Sequence, residues 1–162
     1  MKLRSVEVQD AQAICAIYNN YVENTVITFE EALVSESMMS ERIAAYTRTY
    51  PWLVVENAHG HIAGYAYASQ WQSRSAYQKT VETTIYTGPS EKGQGYGRVL
   101  YTALLDALKK HGYHTAVAGI AVPNPASVAF HEAMGFSKVA HFSEVGHKFG
   151  CWVDVGYWQK VF

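Results

Sequence analysis

Hydrophobic and polar positions change their period several times along this chain, and each change marks an element. Lys2 to Val8 reads as a first strand. Ile14, Ile17, Tyr18, Tyr21 and Val22 then recur at i, i+3, i+4, i+7 and i+8, a helical stripe for which Asp10 is the expected N-cap. Asn24 to Glu30 is irregular, and Met38, Met39, Ile43 and Tyr46 predict a second helix near Ser37 to Tyr46. Trp52 to Glu56 and His61 to Trp71 form a predicted hairpin across Asn57-Ala58-His59-Gly60, and a connector leads to a strand at Val81 to Thr87. After Gly97 a helix with Leu100, Leu104, Ala107 and Leu108 on one stripe runs to about Lys110, with Gly112 as C′. Thr115 to Val122 is apolar on both faces, which suits a central or parallel strand. Pro123-Asn124-Pro125 opens a last helix, with Asn124 as N-cap, Pro125 at N1 and Gly135 as the end. Ser137 to Phe162 reads as two long antiparallel strands joined near Gly146 to Gly150. The order β α α β β β α β α β β predicts one sheet with helices packed on it.

Composition narrows the class. With 162 residues, 49% hydrophobic and 17% charged, residues 1–162 are expected to form a single domain with a substantial core. A net charge of −1 carries no electrostatic footprint for nucleic acid. No apolar run reaches membrane-spanning length, and Met1-Lys2-Leu3-Arg4-Ser5-Val6 lacks the apolar stretch of a signal peptide. Two cysteines, Cys15 and Cys151, make no disulfide framework, so a reducing cytoplasm is the expected compartment. The 14% aromatic content fits core packing, a substrate pocket or a subunit interface.

The most informative stretch is Glu91-Lys92-Gly93-Gln94-Gly95-Tyr96-Gly97-Arg98, three glycines at alternate positions between a strand and a helix. Alternating glycines permit positive φ and bring backbone N–H groups close to an anion, and the following helix adds its free first-turn donors. A nucleotide P-loop has the Gly88 to Gly93 spacing but requires Lys and Ser or Thr where Gln94 and Gly95 stand. A dinucleotide fingerprint requires its third glycine at Arg98. Both fail on spacing, which leaves a different phosphate loop or a plain glycine-rich surface turn. On the last helix, Asn124, Ser127 and His131 share one face; capping, a local backbone bond and a solvated histidine are the plain alternatives.

Together these motifs resemble the GNAT superfamily of N-acetyltransferases. Its loop R/Q-x-x-G-x-G/A corresponds to the Lys92–Gly97 run, with Lys92 in the first position, and its N-x-x-A/S-x-x-x-Y-x-x-x-G-F to Asn124 through Phe136, with His131 in place of the usual tyrosine. Within that superfamily the chain is similar to the phosphinothricin and methionine sulfoximine acetyltransferases at Ile17-Tyr18-Asn19, Thr28-Phe29-Glu30, Arg74-Ser75-Ala76-Tyr77, Val81-Glu82, Val145-Gly146-His147-Lys148-Phe149 and Trp152-Val153-Asp154. The resemblance implies an α/β (α+β) GNAT fold, a mixed, mostly antiparallel sheet of about seven strands flanked by about four helices. It implies acetyl-CoA as cosubstrate, held by Ile85, Tyr86, Thr87, Lys92, Gly93, Gln94, Gly95, Tyr96, Gly97, Arg98, Asn124 and Ser127.

The same resemblance implies transfer to the α-amine of a small amino acid analogue, with Glu82 draining the amine's proton and His131 as the second catalytic group, acid or base. Backbone groups of Ile85 and Thr87 would meet the thioester and pantetheine arm. Phe29, Arg74, Tyr77, Glu82 and Thr84 are the implied substrate residues, with the Arg74 guanidinium suited to a carboxylate. A homodimer is implied as well, whereas His141 and His147 show no metal-ligand spacing and no metal is expected. Acetylation of a protein N-terminus or a polyamine, and a noncatalytic acyl-CoA-binding module, are the competing functions.

Overall fold

Val54 and Val55 are adjacent and both fully buried, yet they belong to different hydrophobic clusters, because successive strand residues point to opposite faces. Both faces of the sheet are therefore covered. The computed structural model describes Met1–Phe162. Its strands are β1 (Lys2–Ser5), β2 (Trp52–Glu56), β3 (Ile62–Gln70), β4 (Thr80–Thr87), β5 (Thr115–Val122), β6 (Ser137–Lys148) and β7 (Cys151–Val161). Its α-helices are α1 (Ala11–Asn24), α2 (Glu36–Tyr46), α3 (Tyr96–Lys110) and α4 (Pro125–Ala133). One seven-stranded sheet runs in the order β1-β2-β3-β4-β5-β7-β6. Every neighbouring pair is antiparallel except β4 and β5.

One cluster joins α3, through Leu100, Tyr101, Leu104 and Leu108, to Val55, Ala66, Val81, Phe136 and Trp158. The other joins α1 and α2, through Ile14, Tyr18, Tyr21, Val22, Met39 and Ile43, to Trp52, Val54 and Tyr65. The helical stripes read from the sequence lie on the buried or half-buried faces of these helices except at Met38, which is 47% exposed.

Several boundaries differ from expectation for local reasons. The first strand stops at Ser5, and Val8–Asp10 forms a 3-10 turn. Asp10 does not cap α1 with its side chain. Its carboxylate accepts two bonds from the Arg4 guanidinium, at 2.7 and 2.9 Å, and one from the Glu7 N–H at 2.7 Å. Ser35 rather than Ser37 opens α2, its hydroxyl accepting from the Met38 N–H at 3.1 Å. The last two strands join through a two-residue turn at Phe149 and Gly150, both with positive φ, and Gly146 lies inside β6 opposite Val153.

Candidate active site at the divergence of two strands

The parallel pairing of β4 with β5 covers only Thr80 to Glu82 against Thr115 to Val117. Past Glu82 the two strands separate, and a cavity of about 280 Å³ opens between Glu82–Tyr86 of β4 and Gly119–Ala121 of β5. It continues, through the shared wall of Ile27, Ile85, Tyr86, Asn124 and Ser127, into a cleft of about 440 Å³ that reaches the glycine loop.

The loop is built for an anion. Gly93 and Gly95 have φ of 76° and 84°, with no atom within 4 Å of where a Cβ would sit. Gly95 is the N-cap of α3, so the helix begins at Tyr96, earlier than the sequence pattern indicated. The first amide to enter the helical ladder is that of Val99, which bonds the Gly95 carbonyl at 3.2 Å. No backbone N–H from Lys92 to Arg98 finds a protein acceptor, so a run of consecutive donors lies at the positive end of α3. The Lys92 ammonium lies 5.4 Å from the centre of the Tyr21 ring at the edge of this cleft. A second helix start lies opposite: Asn124 accepts the Ser127 N–H at 3.2 Å and Pro125 occupies N1 of α4. Both helix N-termini border one cleft, which fits a phosphate-bearing ligand with an extended arm along β4.

At the other end stands Glu82, half-buried, with no protein hydrogen bond to its carboxylate. Desolvation pushes its pKa above the ordinary glutamate value. Gly119 makes room beside it, since a Cβ there would lie 3.1 Å from the Tyr157 ring and 3.6 Å from Glu82 Oε1. His131 also lines this cavity and is 5% exposed. Its Nδ1 lies 2.8 Å from the Ser127 carbonyl, and its ring sits edge-on to Tyr101, Phe130 and Phe136. Burial pulls its pKa below the ordinary imidazole range, with the Ser127 carbonyl opposing. A carbonyl accepts only, so Nδ1 carries the hydrogen and Nε2 of the neutral ring is an acceptor.

Residues 3–156 match the family described as acetyltransferase (GNAT) domain. The chain belongs to the GNAT acetyltransferase family. It is 35% identical over 160 residues to the L-methionine sulfoximine/L-methionine sulfone acetyltransferase of Salmonella typhimurium, covering 98% of this chain and 93% of that protein. A phosphinothricin acetyltransferase from Sinorhizobium meliloti, solved in complex with AcCoA, superposes with a TM-score of 0.96 at 34% identity, covering 99% of this chain and 88% of that one. The ribosomal-protein-alanine N-acetyltransferase from Brucella melitensis superposes with a TM-score of 0.97 at 31% identity, over 100% of both chains.

In this GNAT chain, Ile85, Tyr86, Thr87, Lys92, Gly93, Gly95, Tyr96, Gly97, Arg98, Asn124 and Ser127 all line the cleft. The Gln94 side chain does not; it turns back to the Ser90 carbonyl and the Glu91 carboxylate. The Thr87 carbonyl is already taken by the Tyr21 hydroxyl at 2.7 Å, which leaves Ile85 the freer backbone group. Phe29, Glu82, Thr84 and His131 meet in the smaller cavity. Arg74 and Tyr77 do not join them. Arg74 caps and Tyr77 ends a 3-10 turn, the Arg74 side chain is exposed without a hydrogen bond, and Tyr77 lines a separate cavity of about 480 Å³ that shares only Tyr157 with the first.

Sequence reasoning missed Ile27, Thr28, Gly119, Val155 and Tyr157 as lining residues. Gly119 carried a signal, because a lone glycine inside an apolar strand marks a close approach. No group of three or more His, Cys, Asp or Glu side chains is placed to hold a metal ion.

Proposed function

We propose that this protein acetylates the α-amino group of a small amino acid analogue, of the phosphinothricin or methionine sulfoximine and sulfone type, by direct transfer from acetyl-CoA. The observation that carries this reading is the pairing of an unpartnered, desolvated Glu82 with a row of unpaired backbone donors at the two ends of one continuous cleft. When bound, acetyl-CoA supplies the acetyl group as a thioester. The free donors from Lys92 to Arg98 hold its pyrophosphate, and the divergent edges of β4 and β5 receive the pantetheine arm. Glu82 accepts one proton of the incoming ammonium, since only the uncharged amine is a nucleophile; the amine nitrogen then bonds the acetyl carbon as the C–S bond breaks, and the amine's second proton leaves with the CoA sulfur as free thiol. Its raised pKa brings it nearer the amine's own and eases that transfer. His131, neutral with Nδ1 donating to the Ser127 carbonyl, positions the α4 end of the cavity and leaves Nε2 as an acceptor for the substrates. Neither cysteine lines the cleft, which supports transfer without an acyl-cysteine stage.

In this proposal Arg74, on the exposed turn that carries Tyr77 into the neighbouring cavity, moves onto the acceptor carboxylate when substrate binds. The enzyme acts in the cytoplasm as a homodimer, and its resistance chemistry is detoxification of such analogues. Supporting a second copy is the edge strand β6 and its hairpin, which expose Val139, Phe142, Val145, Phe149 and Trp152.

Thiol release from acetyl-CoA tests the reaction with L-methionine sulfone, L-phosphinothricin, spermidine and a peptide with N-terminal alanine. Turnover is expected with the first two. The similarity to a ribosomal-protein-alanine N-acetyltransferase favours a second reading, in which the α-amine belongs to a protein N-terminus. Preference for the alanine peptide would establish that reading, and CoA binding without turnover of any amine would overturn both.

A further inference from the structure

Lys148 is a lysine only 1% exposed whose ammonium faces no carboxylate within bonding distance. It donates instead to two backbone carbonyls far away in the chain, Val22 at 2.7 Å and Thr28 at 2.8 Å. Val22 is in the last turn of α1, where carbonyls lack helical partners and a cation is favoured. Thr28 is in the irregular segment between α1 and α2, the segment that supplies Ile27, Thr28 and Phe29 to the Glu82 cavity. Two residues back on the same face of β6, Gly146 lies directly under the Phe29 ring, and a Cβ there would overlap Cζ and Cε2 of that ring.

The residues beside Phe29 are held from the other side. The Thr28 hydroxyl bonds the Tyr18 hydroxyl at 2.7 Å, and the Glu30 carboxylate takes both ends of the Arg42 guanidinium from α2. The backbone on each side of Phe29 is thus pinned, and the ring, 41% exposed, rests with one face on Gly146 and lines the cavity. A ring displaced from that seat has its backbone fixed and must swing on its own side-chain torsions.

We propose that Gly146 and Lys148 are positioning residues for the acceptor pocket: Lys148 clamps the segment that carries Phe29, and Gly146 supplies the seat that holds its ring out of the cavity. This rests on the acceptor reading of the Glu82 cavity given above. The depth of the pocket is then set by a strand with no other part in the reaction, through Phe29.

Kinetics and hydrogen exchange together test it. Gly146→Ala is expected to raise KM for L-methionine sulfone by about tenfold or more while KM for acetyl-CoA stays within about twofold. Adding Phe29→Ala to Gly146→Ala removes the ring that the new methyl displaces and is expected to make the Gly146 substitution neutral relative to Phe29→Ala alone. A structural defect of β6 would not be rescued in that way. In Lys148→Met, amide exchange of residues 25–31 is expected to rise by about tenfold or more with β2 and β3 unchanged. An additive double variant, or equal loss of acceptor and acetyl-CoA binding in Gly146→Ala, overturns the seat. Unchanged exchange in residues 25–31 overturns the clamp, and so does global unfolding of Lys148→Met. If wild-type protein turns over no amine, the function proposed above fails, while exchange in Lys148→Met and in Gly146→Ala, with and without Phe29→Ala, still decides the clamp and the seat.

Discussion

The two ends of the cleft are made in different ways. The proposed cofactor end is local: Lys92 to Arg98 is one uninterrupted loop, and its partner helix starts with Asn124 and Pro125 in sequence. Its chemistry is carried by backbone N–H groups, which any residue permitted by φ can supply. The proposed acceptor end is assembled from β4, β5, β7, α4 and the α1–α2 segment, whose members come from both ends of the chain. Its chemistry is carried by individual side chains whose properties depend on burial. The first end should therefore tolerate side-chain changes but not changes in backbone conformation, and the second the reverse.

The sharpest way to break this contrast is Glu82→Gln, expected to lower kcat by about a hundredfold or more while CoA affinity measured by calorimetry is unchanged. Parallel loss of both would show that Glu82 supports the whole cleft. The sign of its titration adds a second measurement. Burial raises the Glu82 pKa, so the folded protein holds that proton more tightly than the unfolded chain does. The stability this gives is complete below the unfolded value and is lost as pH rises through the folded one. Glu82→Gln is accordingly expected to raise Tm at neutral pH, with the gain disappearing below about pH 4. Activity, where Glu82 is the proton acceptor, is expected to fall on acidification at a pH above the ordinary glutamate range.

Next in size is Gly95→Ala, which forces a φ of 84° on a residue with a Cβ and strains the cradle by about 1 kcal/mol or more. CoA affinity is expected to fall by about tenfold with acceptor KM, taken at saturating acetyl-CoA, unchanged. Arg74→Ala probes whether the exposed turn belongs to the acceptor end. A rise of about fivefold in acceptor KM alone is expected, and no change would make Arg74 a solvated surface residue. The smallest effect is expected at His131, because a neutral ring that donates at Nδ1 has no proton at Nε2 to give. His131→Gln should change kcat by about threefold or less, and the wild-type pH profile should carry no limb in the ordinary imidazole range. A limb there that vanishes in the variant would make His131 an acid or base.

Elements with strong local signals were legible in the sequence. Trp52–Glu56 and Thr115–Val122 coincide with β2 and β5, and α4 begins with its expected cap because Asn124 and Pro125 act within one turn. Asp10 was read as a cap and is an ion-pair partner, since the choice between a nearby N–H and the Arg4 guanidinium depends on where β1 brings that arginine. Glu82 was singled out through its family motif, but that it stands unpaired and desolvated in a cavity was not legible. Tyr157 and Gly119 face each other across an antiparallel pair 38 positions apart, and nothing in either segment marks them as one wall.

The sequence by itself determined the buried helical stripes, the glycines that take positive φ in the loop and the start of α4 at Asn124 and Pro125, and these carry the proposed place for a phosphate-bearing ligand. These are short-range consequences of sterics and of backbone donors that cannot be satisfied within a helix's first turn. Only the tertiary structure decided that β4 and β5 pair as far as Glu82 and then part, that Tyr157 stands beside Glu82, and that Lys148 reaches Thr28. Those depend on strand register and burial, which bring together groups up to 126 positions apart and set whether a carboxylate or an ammonium stands in water or out of it.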